Sequence, residues 1–290
     1  MTDVLDLQRI DHESCYGRWT LLRRAPPPGL RPYVTDIQGY VEEGGAPVVR
    51  KELPSGIVPL ILVFGPGFNL HDYDAPGMRR LARSFVAGLT DRHALVGSVG
   101  QALCMQVDFT PLGARRFLGV ELGALVGGVH DFAAIIGASA DRLEERLHDA
   151  RDWPQRFSIV EGLLAERLSR HGAGHRLVEA AWVEIERRRG DIRVGDLAAR
   201  LDCSRKHLVA LFRREIGLPP KTFARVLRFE SAVDAMRQGR FRSLADLAFA
   251  CGYADQAHFT RDFSQFAGEP PLQLLARMLP DGTGVMARLG

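Results

Sequence analysis

The chain has 290 residues, enough for two domains of ordinary size. Its 46% hydrophobic and 25% charged residues exclude a wholly disordered protein. No apolar run approaches the ~20 residues needed to span a bilayer, and the start lacks the pattern of a secretory signal. We therefore predict a cytoplasmic protein with no membrane partner.

The net charge of +3 is unevenly distributed. Residues 176–279 hold 18 Lys and Arg against 13 Asp and Glu, whereas the remainder is slightly acidic. A basic excess confined to one segment is expected of a nucleic-acid-binding domain, although many helical domains reach the same excess without contacting DNA.

The first 130 or so residues predict short strands separated by Gly, Pro and Asp turns. Several short strands joined by turns favour a barrel or a sandwich. The predicted strands are Gly17–Leu22, Tyr33–Val41, Ile57–Phe64, Ser84–Leu89, Leu95–Val99 and Leu103–Phe109.

From about Asp131 the apolar period becomes helical. One amphipathic helix contains Leu143 and Leu147, and a second runs from Phe157 to Leu168. The small and polar residues that follow predict a linker at 171–176 between two domains, 1–170 and 177–280. The second domain opens with a helix from about Leu177 to Arg189, closed by Gly190.

An internal repeat dominates the second domain: residues 197–220 recur at 247–271. The offset is 50 between Leu197 and Leu247 but 51 between Phe212 and Phe263. One residue has therefore been added between the two helices of the second copy, where no packed face is shifted. Each copy predicts a helix, a tight turn and a second helix, which is the helix-turn-helix plan for placing a helix in the DNA major groove.

Apolar residues on one face of each second helix predict which residues stay exposed on the other. Arg, Lys and Gln can bond to base edges, and Val or Thr can contact a thymine methyl. None of the ten positions is acidic, whereas a merely solvated helix face normally carries both signs of charge. The two predicted DNA-facing sets are Arg205, Lys206, Val209, Ala210 and Arg213, and Gln256, Ala257, Thr260, Arg261 and Ser264.

A helix predicted from Lys221 to Arg237 joins the two units. Seventeen residues span roughly 26 Å, which suits two recognition helices about one DNA turn apart. The candidate phosphate contacts, some of which a solvated surface would also explain, are Lys221, Arg225, Arg228, Arg240 and Arg242.

Residues from about 180 to 278 resemble the DNA-binding domain of the AraC/XylS family of transcription regulators. The run 247–263 with Gly268-Glu269-Pro270-Pro271 follows the second unit of that family nearly position for position, with Tyr253 and Ala257 as departures. Residues 15–150 resemble a cupin-like sensor domain of one branch of the family, on the segments 52–62 and 109–116.

The resemblance implies an α+β fold: an N-terminal mainly-β cupin-like barrel with a helical extension, then an all-α tandem helix-turn-helix domain. It also implies a sequence-specific, effector-responsive regulator whose partners are double-stranded DNA and a small-molecule effector of unknown identity. RNA polymerase and a second copy of the chain are further candidate partners.

We predict no catalytic site, cofactor or metal. His71, Asp72 and His93 are the N-terminal metal-ligand candidates of note, and they lack the H-x-H spacing of a metal cupin. The cysteines Cys15, Cys104, Cys203 and Cys251 form no C-x-x-C pair. Two alternatives stay open: a barrel enzyme with a helical partner-binding tail, which convergent titratable groups in a pocket would favour, and a DNA-architectural protein with equal affinity for unrelated duplexes.

Overall fold

The structure is a computed structural model that describes residues 7–14, 17–43, 47–71, 78–170, 172, 174–278 and 284–287. The predicted fold class is confirmed, because a β-rich part is followed by a helical part. Cys15, Asp72, the side chain of His71 and part of the predicted linker lie outside the described residues.

Twelve strands form two antiparallel sheets within these described residues. They are β1 (Gln8–Ser14), β2 (Gly17–Arg24), β3 (Val34–Glu43), β4 (Val49–Glu52), β5 (Val58–Val63), β6 (Phe68–His71), β7 (Met78–Leu81), β8 (Phe85–Ala87), β9 (Ala94–Gly97), β10 (Ala102–Phe109), β11 (Val129–Asp131) and β12 (Val285–Met286). The first sheet has the order β1-β2-β3-β10-β5-β8-β11, and the second has the order β12-β4-β9-β6-β7.

The six predicted strands correspond to β2, β3, β5, β8, β9 and β10. They carry most of the apolar residues of the sheets, and β5 is paired on both sides, by β10 and β8. The strands that went unpredicted are short or polar. β1 has the sequence QRIDHES and forms an edge of the first sheet. It lacks alternating apolar residues and is a strand because it pairs with β2.

Eleven α-helices complete the described residues. They are α1 (Pro111–Leu118), α2 (Phe132–Ile136), α3 (Ser139–Asp149), α4 (Trp153–Arg170), α5 (Arg176–Arg187), α6 (Val194–Arg200), α7 (Arg205–Ile216), α8 (Pro220–Arg237), α9 (Leu244–Ala250), α10 (Gln256–Ala267) and α11 (Pro271–Leu275). A 3-10 turn, Leu122–Ala124, follows α1.

Both predicted helices of the first domain are present as α3 and α4. The helix predicted to run to Arg189 ends two residues earlier, because Arg189 and Gly190 both adopt left-handed conformations, with φ of 48° and 79°. The Gly190 amide then donates to the Ile185 carbonyl at 2.9 Å. Gly190 thus has the role of helix terminator expected from the sequence.

A single apolar cluster runs through both parts of the molecule. It joins Ile37 and Phe109 of the first sheet to Phe212, Phe223 and Phe263 of the helical part. The β-rich part (residues 7–170, named the sensor domain below after the role predicted from the sequence) and the helical part therefore pack directly on each other. None of the helices in the described ranges is both long and apolar enough to cross a membrane.

Phe263→Ala tests the packing of the second unit. Phe263 is fully buried, with its ring centroid 4.9 Å from that of Phe229 and 5.5 Å from that of Phe259. We expect the loss of this ring to lower the free energy of unfolding by roughly 3–5 kcal/mol, as for other buried aromatics. Urea denaturation measures the change.

Phe249→Ala is the matched control, since Phe249 is 83% exposed on α9. It should change the free energy of unfolding by less than about 0.5 kcal/mol. Equal effects of the two substitutions would contradict the packing described.

Candidate nucleic-acid interface

The first unit consists of α6 and α7 joined by a tight turn. Asp202 in the turn has a φ of 49°, and the Cys203 amide donates to the Ala198 carbonyl at 3.1 Å. Ser204 caps α7, because its side chain accepts a hydrogen bond from the His207 amide. The residues buried along α7 include the predicted apolar set, Leu208, Leu211, Phe212 and Ile216.

The second unit, α9 and α10, repeats this construction. Gly252, 50 residues after Asp202, also has a positive φ, of 75°. Asp255, 51 residues after Ser204, caps α10 by accepting from the His258 amide at 2.7 Å. The extra residue of the second copy therefore lies in the turn, as the sequence predicted. Both copies bury equivalent faces, which on α10 include Phe259, Phe263 and Phe266.

None of the ten predicted DNA-facing residues is buried. Those exposed to solvent are Arg205, Lys206, Ala210, Arg213, Gln256, Ala257 and Arg261, and the half-buried ones are Val209, Thr260 and Ser264. The five on α10 line one shallow open depression. The structure thus presents each set on a single accessible face and leaves that face free of carboxylates.

Two of the predicted phosphate contacts have partners inside the protein. Arg225 donates to both carboxylate oxygens of Asp262, at 3.0 and 2.8 Å, and to Gln265 at 2.7 Å. The hydrogen bonds to Asp262 raise the pKa of Arg225 above its ordinary value. Arg228 donates to the Gly252 carbonyl at 3.0 Å, with its guanidinium 4.9 Å from the Tyr253 ring centroid. Both arginines therefore tie α8 to the second unit.

The other three predicted phosphate contacts, Lys221, Arg240 and Arg242, are exposed. Helical spacing alone could not separate these residues from Arg225 and Arg228, because all five lie on or beside α8. The residue that distinguishes Arg225 from the exposed cations is Asp262, because a carboxylate on the packed side of α10 requires a cation as its partner.

A second candidate site, which the sequence left unknown, is a cavity of about 400 Å³ between the two sheets. This volume lies within the range of small-molecule pockets. Its apolar walls include Ile61, Phe68, Leu70 and Phe85. The sequence signal that could have indicated this cavity is the presence of charged residues, such as Glu42 and Arg50, at strand positions that face inward.

One wall of the cavity is polar and internally bonded. The Tyr40 hydroxyl donates to the Glu42 carboxylate at 2.7 Å, and the Ser98 hydroxyl donates to the same carboxylate. Burial raises the pKa of Tyr40 well above its ordinary range, so its phenol stays protonated. The Arg50 guanidinium lies 4.7 Å from the Trp19 ring centroid and donates to the Tyr40 hydroxyl. The cavity therefore offers fixed hydrogen-bonding groups beside an apolar surface.

The cleft between the sensor domain and α8 holds a buried carboxyl group, that of Glu230. Its side chain accepts from the Gly56 amide at 3.1 Å. Burial raises the pKa of Glu230 to about 7 although the hydrogen bond from Gly56 lowers it, and the nearby Asp234 and Glu186 add to the increase. Among the described residues, no group of three potential metal ligands is placed to hold an ion.

The sequence matches the family described as "Helix-turn-helix domain" over residues 197–277, which include both copies of the repeat. The chain carries an AraC-type helix-turn-helix domain. No curated protein matches the sequence.

Several solved structures are similar to parts of the chain. ToxT from Vibrio cholerae bound to an unsaturated fatty acid is 11% identical and covers 88% of this chain and 98% of its own, with a TM-score of 0.46. A probable AraC family regulator from Rhodopseudomonas palustris is 27% identical and covers 36% of this chain and 97% of its own, with a TM-score of 0.32. The DNA-binding domain of AdpA, in complex with a target DNA, is 23% identical and covers 36% of this chain and 92% of its own, with a TM-score of 0.32.

Glu230→Gln tests the protonation of the interdomain cleft. In the folded protein Glu230 keeps its proton up to about pH 7, whereas in the unfolded chain it has the ordinary pKa of a glutamate, 4.5. The folded state therefore binds more protons between these values, and the stability contributed by Glu230 falls as the pH rises through this window. The amide keeps an acceptor for Gly56 but cannot ionise. We expect the increase in the free energy of unfolding caused by Glu230→Gln to be about 2 kcal/mol larger at pH 8 than at pH 5.

Thermal unfolding of both proteins at the two pH values measures this difference. Glu145→Gln, at an exposed position on α3, is the control and should behave alike at both pH values. An equal gain from Glu230→Gln at pH 5 and pH 8 would show that the carboxyl group is ionised at both.

Proposed function

We propose that the protein is a sequence-specific, effector-responsive regulator that reads two successive major-groove faces with α7 and α10. The observation that carries this proposal is the duplication of one exposed, acid-free face at equivalent positions of two packed units. The 18-residue helix α8, which spans roughly 27 Å, separates the units by a length comparable to the ~34 Å pitch of B-form DNA.

The chemistry of the two faces suggests different readout by each helix. On α7, Arg205, Lys206 and Arg213 are suited to the acceptor edge of guanine, while Val209 offers an apolar contact. On α10, Gln256 is suited to adenine, Arg261 to guanine and Thr260 to a thymine methyl group. Lys221 and Arg240, which are exposed beside these faces, are the remaining proposed phosphate contacts.

The cavity between the sheets supports binding of a small-molecule effector. A route from this cavity to the DNA-binding domain is offered by β4, in which Arg50 lines the cavity and the next residue, Lys51, donates to the Ala267 carbonyl at the end of α10. Consecutive residues of a strand point to opposite faces, so one strand contacts both sites. RNA polymerase, a second copy of the chain and a cytoplasmic location remain predictions.

Selection of bound duplexes from a random pool, with and without candidate metabolites, tests this function. We expect a two-part sequence preference whose strength changes with at least one metabolite. Equal recovery of unrelated duplexes would instead favour an architectural protein, and absence of duplex binding at low salt would favour the enzyme alternative.

Arg261→Ala and Lys221→Ala separate base readout from charge. Arg261→Ala should cost roughly 1–3 kcal/mol on the preferred duplex and relax base choice at one position. Lys221→Ala should weaken all duplexes alike and reduce the slope of log affinity against log salt by about 1. Fluorescence anisotropy across a salt series measures both.

Arg151→Ala is the control, because it removes an exposed cation from the turn between α3 and α4. It should leave both the base preference and the salt slope unchanged. Identical behaviour of Arg261→Ala and Lys221→Ala would contradict the assignment of their roles.

A further inference from the structure

The two recognition helices meet the sensor domain at equivalent points. Gly217 ends α7 and Gly268, 51 residues later, ends α10, and both have a positive φ. A Cβ at Gly217 would lie 2.9 Å from the Val126 side chain, and one at Gly268 would collide with the His93 ring. The sensor domain is thus in close contact with the same structural position of each repeat.

At the end of α10, the sensor domain supplies hydrogen bonds that the helix cannot make itself. The last carbonyls of a helix lack partners within it. The His93 amide donates to the Phe266 carbonyl at 3.1 Å, and the Lys51 ammonium donates to the Ala267 carbonyl at 2.8 Å. Lys51 also pairs with Glu269, and both side chains are about nine-tenths buried.

Arg277 also pairs with Glu269 and donates to the Met286 carbonyl at 2.7 Å. Burial alone would raise the pKa of Glu269, but the hydrogen bonds from Lys51 and Arg277 outweigh it and lower the pKa. Glu269 is therefore ionised at neutral pH and held between two cations, one from each domain. The strand β12 pairs with β4 beside this contact.

At the end of α7, the contact is again an ion pair with a buried carboxylate. Arg115 of α1 pairs with Glu215, which is 3% exposed, and Glu121 pairs with Arg214 at 3.2 Å. The 3-10 turn packs against this end, since a Cβ at Gly123 would lie 3.0 Å from the Arg214 carbonyl. The outward faces of both recognition helices stay accessible while their carboxyl ends are held.

From these two contacts we infer that the sensor domain is a brace that fixes the spacing of the two recognition helices on DNA, with Lys51 and Arg115 as its positioning residues. This inference rests on the proposed function. Neither residue touches DNA in this arrangement; each acts through the helix end that it holds. In sequence, α8 is the element that links the two units.

The spacing between the two halves of the DNA site is the readout specific to such a brace. One inserted base pair moves the second half-site by about 3.4 Å along the duplex and turns it by roughly 35°. A braced pair of helices cannot follow this displacement without breaking its anchors. The experiment measures the affinity of the full chain for its selected duplex and for the same duplex with one base pair inserted between the halves.

We expect the insertion to weaken binding of the unsubstituted protein roughly tenfold, a loss of about 1.4 kcal/mol. In Lys51→Met and in Arg115→Met the penalty should shrink to threefold or less. Both variants leave the buried carboxylate with a second cation, Arg277 for Glu269 and Arg214 for Glu215. Glu269→Gln, which weakens the same anchor from the other side, serves if Lys51→Met fails to fold.

Arg83→Met is the matched control, because Arg83 pairs with Asp141 and Glu144 wholly within the sensor domain. It should keep the full tenfold penalty. The brace is wrong if the anchor variants keep that penalty, if they weaken both duplexes by the same factor, or if the unsubstituted protein binds both duplexes equally. Failure of the unsubstituted protein to select any duplex would instead overturn the proposed function.

Discussion

The aromatic contact between α8 and α10 determines which side of α10 stays exposed, and that side is the one proposed to contact DNA. Phe229 lies with its ring centroid 4.9 Å from that of Phe263 and 5.3 Å from that of Phe266. Once these rings are buried, helical geometry leaves Gln256 and Arg261 on the opposite side. The proposed DNA-binding surface is thus a consequence of core packing.

Arg225 and Arg228 reinforce this packing from the polar side. Their guanidinium groups lie over the rings of Phe266 and Tyr253, at 4.9 Å from each centroid, and their hydrogen bonds satisfy a buried carboxylate and a turn carbonyl. Replacing Arg225 would remove the hydrogen bonds to the buried Asp262 carboxylate, and replacing Arg228 would remove the one to the Gly252 carbonyl. Positive charge in the second domain therefore serves two purposes, and only the exposed fraction is available to a polyanion.

The sequence predicted the helical domain more completely than the sensor domain, for a physical reason. Helical periodicity is local, so the turn with its added residue and the buried face of α7 could be inferred from spacing alone. Strand pairing is not local. β1 and β4 have no apolar alternation, and they are strands because β2 and β9 pair with them. The cavity between the sheets and its bonded pair, Tyr40 and Glu42, follow from that pairing.

The contacts between the domains were equally inaccessible to sequence reasoning. Lys51 and Glu269 are separated by more than two hundred residues, and each looks like an ordinary surface residue in its own segment. A glycine and two prolines follow each repeat unit, and such residues ordinarily stop a helix. They do stop the helices, but Gly217 and Gly268 also allow the sensor domain to approach, which no local rule anticipates.

The strand β12 has a consequence for the order in which the molecule can be built. Its partner β4 is synthesised near the beginning of the chain, whereas Val285 and Met286 emerge after both helix-turn-helix units. An edge of the second sheet therefore stays open during most of translation, and exposed edges invite pairing with other strands. The amino-terminal domain therefore completes its second sheet only after the helical domain has been synthesised, when Val285 and Met286 have left the ribosome.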